Sequence, residues 1–201
     1  MFYMDRGAQV GRRMIDQPTV ISRRGLLGAF AATALIAAPT YSNAAGFLRG
    51  AGDIRRLKMY SRRTGESLDL IYWIEGDYMK DALTEVNWFM RDWRRDRSRA
   101  IDTRTVDIIA ATQQLLDTPT PFLMLSGYRT PETNALLRKR SRGVAKNSLH
   151  VKGQAVDLRM QGKSVRQVAR AAASCAAGGV GRYSRSNFVH IDCGEKRLWG
   201  R

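Results

Sequence analysis

The stretch Ser148-Leu149-His150-Val151-Lys152-Gly153-Gln154-Ala155-Val156-Asp157 holds one of only two histidines in the 201-residue chain. It reads as a strand running from His150 to Met160. His150 and Asp157 are seven residues apart, and on a regular strand an odd separation places two side chains on opposite faces. Gly153 lies between them, and a bend or bulge there returns both to a common side. The other histidine lies in Phe188-Val189-His190-Ile191-Asp192, a last strand in which His190 and Asp192 share a face by alternation. Laid beside the first stretch, His190 completes a set of two imidazoles and one carboxylate. Three protein ligands with a fourth position left for water is the arrangement of catalytic zinc. A lone histidine in a strand is ordinarily a hydrogen-bonded core residue, and an aspartate seven residues away is unremarkable. The signal lies in the combination: both histidines sit in strands beside an aspartate, and none is spent elsewhere.

Working outward, Leu57–Tyr60 and Leu68–Trp73 are β-rich segments separated by a polar, glycine-bearing connection, which predicts a hairpin over residues 55–75. From Tyr78 to Trp93, Leu83, Val86, Phe89, Met90 and Trp93 recur at helical spacing. Trp73, Tyr78, Trp88 and Trp93 fit a helix packed on the hairpin better than a sugar-stacking platform, because the spacing selects one face. The arginine-rich run from Arg91 to Arg99 reads as a solvated helix end. Asp102 caps a second helix, which stops at Thr118-Pro119-Thr120-Pro121. Phe122–Leu125 is a short buried strand leading into Ser126-Gly127-Tyr128-Arg129, and Pro131 sits in the first turn of a third helix ending near Arg140. A loop spans Ser141–Ser148, Val165–Cys175 is helical, and the glycines from Gly178 to Gly181 turn the chain back. The expected fold class is α+β, a small antiparallel sheet carrying the metal site and flanked by helices. Residues 122–199 form the catalytic core of a single domain over 45–201.

The chain begins differently. Arg23-Arg24 precedes an uncharged apolar run from Leu26 to Ala38, and Ser42-Asn43-Ala44 supplies small residues after it. That order is an export signal of the twin-arginine variety over residues 1–44, and its apolar run is too short to span a bilayer. The leader ahead of Ser22 is long, which points to a start at Met14. The expected destination is the periplasm, with no stable membrane insertion once the signal is cleaved. The full chain carries a formal charge of +16. Losing five arginines and two aspartates with the signal leaves it strongly basic. Such a field favours polyanions, and export makes envelope polymers the partners rather than nucleic acid. The oligomeric state is not legible.

Taken together, S-G-Y-R-T, N-A-L-L-R, S-L-H-V-K-G-Q-A-V-D and G-G-V-G-R-Y…F-V-H-I-D, ending near Leu198-Trp199, resemble exported zinc peptidases of the murein endopeptidase K type. These are relatives of D-alanyl-D-alanine carboxypeptidases and of the hedgehog signalling domain. The resemblance runs from about Leu57 to Trp199, and S-x-H-x-x-G-x-A-x-D is its most specific part. It implies Zn²⁺ held by His150, Asp157 and His190, and cleavage of peptide bonds in peptidoglycan stems or cross-links. The residue chemistry agrees, since such a zinc activates water and polarises a carbonyl. By the same resemblance Arg129 is the arginine that steadies a substrate carboxylate or a developing oxyanion. Ser148 either bonds substrate or shapes its turn, and Tyr128 either contacts substrate or packs. One position departs from the pattern. Several relatives carry an acid three residues before the last histidine ligand, and here that residue is Asn187. Asp192 is the substitute base; its competing role is to orient His190 by accepting from the free ring nitrogen. The departure keeps open a second function, a zinc-containing cell-wall binding or scaffolding module without turnover.

Cys175 and Cys193 are the only cysteines. An oxidising compartment makes a disulfide between them plausible, and a ligand role for Cys193 is the lesser alternative.

Overall fold

The structure is a computed structural model and describes residues 53–200. The expected signal over residues 1–44, its apolar run and the proposed start at Met14 lie outside the described residues. Strand β1 (Ile54–Ser61) turns back into β2 (Ser67–Ile74), and β3 (Asp77–Tyr78) follows. Helices α1 (Lys80–Phe89) and α2 (Thr103–Leu115) lead to β4 (Phe122–Ser126) and helix α3 (Pro131–Arg140). A 3-10 turn (Leu149–Lys152), β5 (Ala155–Met160), α4 (Val165–Ser174), β6 (Gly179–Tyr183), β7 (Phe188–Asp192) and β8 (Arg197–Gly200) complete the chain.

All eight strands join one sheet in the order β3-β2-β1-β4-β5-β7-β6-β8. The run β4-β5-β7-β6 is antiparallel throughout, as expected of the part that carries the site. The sheet is larger than the sequence suggests because the hairpin joins it through parallel pairing of β1 with β4, and β8 adds itself parallel to β6. The α+β class holds.

Strand alternation divides the sheet into two faces. Leu57 and Met59 of β1, Phe122 and Met124 of β4, Val156 and Leu158 of β5, and Val189 and Ile191 of β7 are buried in one core. Against that core lie Val106 and Ile109 of α2 and Val168 and Ala172 of α4. Intervening residues, among them Asp157, Arg159, Phe188 and His190, point to the other face. His190 and Asp157, which carry the candidate site, are there.

The helix ends are chemically specified. Asp102 accepts from the Arg104 backbone N–H, as its position predicts, and Thr130 accepts from that of Thr133. Ser164 and Gln167 form a reciprocal capping box at α4. Helix α1 is shorter than its apolar spacing suggests, because the groups beyond Phe89 are used elsewhere. The Met90 carbonyl accepts from Tyr128 N–H, and the buried Asp92 carboxylate accepts from the backbone and hydroxyl of Thr130. Arg91 is likewise no solvated residue: it is 8% exposed and paired with Glu66 and Asp96. The tryptophans do not form a shared platform. Trp73, Trp88 and Trp93 lie under the guanidinium groups of Arg55, Arg91 and Arg94 respectively, and only Trp73 is in the core.

Cys175 and Cys193 are free, buried thiols, so the disulfide is not formed here. The Cys175 Sγ lies near the Ala171 carbonyl and the Thr112 hydroxyl instead. Among the described residues no helix is long and apolar enough to cross a membrane.

Candidate metal centre

His150 is not on a strand. It occupies the 3-10 turn, which ends at Gly153 with φ 72° and ψ 24°, the left-handed region. A Cβ at Gly153 would also lie 2.5 Å from the Ala100 carbonyl oxygen. This corrects the expectation of a continuous strand. The parity between positions 150 and 157 is broken by a tight turn closed by glycine, which lifts His150 over the end of β5. We expect Gly153→Ala to cost about 1–3 kcal/mol from backbone strain alone and to displace His150. Its metal content should fall more than its helix content, read by metal analysis beside circular dichroism.

Asp157 and His190 need no such device, because they are direct partners in the β5–β7 pairing. Two rings and one carboxyl therefore meet over the paired strands β5 and β7. His150 Nε2 lies 3.2 Å from Asp157 Oδ1 and 3.3 Å from His190 Nδ1, and His190 Nδ1 lies 2.9 Å from Asp157 Oδ1. Each imidazole has its other nitrogen occupied. His150 Nδ1 is 2.8 Å from the Gly127 carbonyl oxygen, which can only accept. His190 Nε2 is 3.0 Å from the Asp192 carboxylate, which accepts in the same way. In its neutral form each histidine therefore spends its proton outward and turns a lone pair inward, toward an aspartate oxygen.

Electrostatics act on the two rings in opposite directions. Burial holds the His150 pKa below its usual value, favouring the neutral imidazole that a metal requires. Burial alone would raise that of Asp157, but His150, His190 and Arg129 outweigh it and hold the carboxyl well below the usual range. Asp192 behaves alike: burial is overcome by His190, the Gly194 N–H and Arg197. For His190 the two aspartates outweigh burial and raise the pKa.

His150, Asp157 and His190 each offer a ligand atom, and these atoms lie within 4.8 Å of one another. Tetrahedral coordination with bonds of ~2.1 Å separates donors by ~3.4 Å, so edges of 2.9, 3.2 and 3.3 Å suit a small divalent cation. Histidine nitrogen and carboxylate oxygen are zinc ligands. Cys193 is not part of the cluster.

The cluster opens into a cleft of about 500 Å³ that also reaches Arg129, Ser148, Tyr183, Phe188, Arg197 and Trp199. Arg129 donates from Nε to Ser126 Oγ at 2.8 Å and from Nη2 to Asp157 Oδ2. Ser148 stands at the start of the 3-10 turn without capping it through its side chain. Tyr128 is not among the cleft residues; it packs against the core. Asn187 is exposed and lies outside this cleft.

The aromatic wall was missed in the sequence. Trp199 on β8 lies over Gly181, where a Cβ would come 2.5 Å from its ring. It meets His190 at a centroid distance of 5.4 Å and donates from Nε1 to the Tyr183 hydroxyl at 3.0 Å. Tyr183 and Phe188 stack at 4.5 Å. The available signal is Gly181, a glycine whose missing side chain makes room within a strand rather than serving the turn its neighbours suggest.

Residues 49–199 match the family described as peptidoglycan L,D-endopeptidase MepK. The chain belongs to that family. The peptidoglycan L,D-endopeptidase MepK of Escherichia coli (strain K12) is 44% identical over 145 residues, covering 72% of this chain and 80% of the relative. The protein of the same name from Shigella flexneri matches equally. The probable peptidoglycan L,D-endopeptidase MepK of Haemophilus influenzae is 36% identical over 146 residues, 72% of this chain and 78% of its own. The matched region of the family contains every member of the cluster and of the cleft, so the resemblance drawn from the sequence motifs is sound.

Proposed function

We propose that this protein is an exported, zinc-dependent peptidoglycan L,D-endopeptidase that acts in the periplasm. One observation carries the reading: two imidazole nitrogens, each with its ring partner already set against an acceptor, converge with an ionised carboxylate oxygen within 3.3 Å. Three acceptors brought together repel unless positive charge lies among them, and a divalent cation supplies it to all three at once. Family membership supports the substrate class, and the twin-arginine signal expected from the sequence over residues 1–44 points to the compartment. Zinc bound by His150 Nε2, Asp157 and His190 Nδ1 would polarise a scissile carbonyl and acidify a water.

The chain's own residues do the rest. Gly127 and Asp192 hold the two rings in the tautomers that face inward. Arg129 holds Asp157 and, at the cleft wall, is the group placed to steady a peptide carbonyl or carboxylate. Trp199, Tyr183 and Phe188 supply the aromatic wall along which an extended peptide lies. Ser148 edges the same cleft.

A second reading has a specific observation in its favour. Among the described residues Asp157 is the only carboxylate lining the cleft, and none of them offers a free acid there to take a proton. A cell-wall binding module that keeps the metal without turnover fits that feature. Digestion of purified sacculi by the mature protein, with zinc measured in parallel, separates the two. The enzyme is expected to hold one zinc per chain and to release soluble muropeptides until a chelator is added. Sedimentation with sacculi and no release selects the module.

A further inference from the structure

A second cleft, of about 670 Å³, lies on the same face of the sheet as the metal centre. Its floor is defined by strand register. Arg159 follows Asp157 by two residues on β5 and therefore points the same way, about 7 Å further along the strand. Leu123 on β4 is the direct partner of Arg159, and Tyr60 on β1 is the direct partner of Leu123. Arg62, Lys163 and Asn187 complete the polar rim. The two clefts meet at a single step of chain, since Phe188 lines the first and Asn187 the second.

The second cleft has a one-sided charge. Arg62, Arg159 and Lys163 line it and no aspartate or glutamate does. Among the described residues none of the three takes part in an ion pair. Arg159 and Lys163 are half-buried, which holds their charge against the floor of the cleft rather than in open water. A basic protein carries many surface cations. These three differ in sharing a concave site beside the cleft of the metal centre, and among the described residues no carboxylate pairs with them.

We infer that this cleft is an anchoring subsite for a carboxylate of the acidic stem peptide whose scissile bond lies at the metal centre. The inference rests on the proposed peptidase reading and adds where the far part of the substrate goes. A distance of ~7 Å is two residues of extended chain, so the carboxylate recognised is that of a residue at least two positions from the cleaved bond. Phe188 is the apolar step over which the peptide passes.

The test uses the mature protein, Arg159→Gln, Lys163→Gln and the double variant. The probes are a defined peptidoglycan stem peptide and the same peptide with its carboxylates converted to carboxamides. Wild type is expected to prefer the carboxylate peptide by about tenfold in kcat/KM, the scale of a charge-assisted hydrogen bond. In the double variant KM for that peptide should rise about tenfold, kcat should stay within about twofold, and the preference should fall to near one. Equal losses on both peptides, or none on either, overturn the subsite. Calorimetric binding of both peptides to zinc-stripped protein keeps the two readings separate. Absent cleavage by wild type with a carboxylate preference in binding that the double variant loses would reject the peptidase and keep the subsite. Intact cleavage with binding unchanged in the double variant would do the reverse.

Discussion

His150→Ala is expected to lower bound zinc from one per chain to less than a tenth and to reduce release of muropeptides by about a thousandfold. Losing a ligand removes the several kcal/mol that a metal contributes to stabilising a transition state, and about 4 kcal/mol is a factor of a thousand. The remaining Asp157 and His190 lie on paired strands and cannot close a three-point site by themselves. The fold should survive, because His150 sits on a 3-10 turn at the open face whereas the core lies beneath the other face. The loss would leave the Gly127 carbonyl without its donor, a cost of about 1–3 kcal/mol. Two measurements distinguish a lost metal from a lost fold. Adding zinc should raise the melting temperature of wild type, since a ligand that binds only the native state stabilises it, and it should leave the variant unmoved. Far-ultraviolet circular dichroism should be the same for both. A variant that keeps stoichiometric zinc and digests sacculi normally would reject the metal centre.

The parts of the fold that could be seen in the sequence are those in which one periodicity acts alone. The apolar alternation of Leu57 and Met59, the Asp102 cap and Pro131 at a helix start each have a local cause, and each element stands where its cause places it. The parts that could not be seen depend on distant partners. Gly179 and Gly181 resemble a turn because glycine usually serves turns. Here they are strand residues whose missing side chains admit the Asp192 carboxylate and the Trp199 ring. Strand β8 has four residues and exists only because β6 is there to pair with it. Helix α1 ends early because Tyr128 and Thr130, some forty residues away, take the polar groups that would have extended it. The donors His150, Asp157 and His190 were legible because histidine is scarce. Their geometry was only half legible: alternation pairs His190 with Asp192, but the 3-10 turn at His150 follows from Gly153 meeting the Ala100 carbonyl.

The two roles weighed for Asp192, proton acceptor or support for His190, are separated by Asp192→Asn. Asp192 has no exposed surface, and its oxygens are already taken. Oδ1 accepts from the backbone N–H groups of Gly179 and Gly194 and from Arg197 Nη1, and Oδ2 accepts from His190 Nε2 and Arg197 Nη2. A carboxylate with five donors around it has no lone pair left to hold a water, so the supporting role is the one we propose. Asparagine has one oxygen, and its NH2 must face either the Gly179, Gly194 and Arg197 Nη1 donors or the His190 N–H and Arg197 Nη2. In the first arrangement donors oppose donors in a buried pocket, costing about 3 kcal/mol of stability. In the second the imidazole is driven toward the tautomer whose Nδ1 carries the proton and cannot bind a cation. Zinc affinity should therefore fall 10- to 100-fold, the usual consequence of removing the group behind a histidine ligand. Cleavage should fall with it and recover largely when zinc is raised to saturation. A base behaves otherwise: zinc affinity would be unchanged, and cleavage would stay at least a hundredfold down at any zinc concentration. Titrating zinc while recording turnover in wild type and variant decides between them, because only a positioning residue has its defect reversed by the metal it helps to hold.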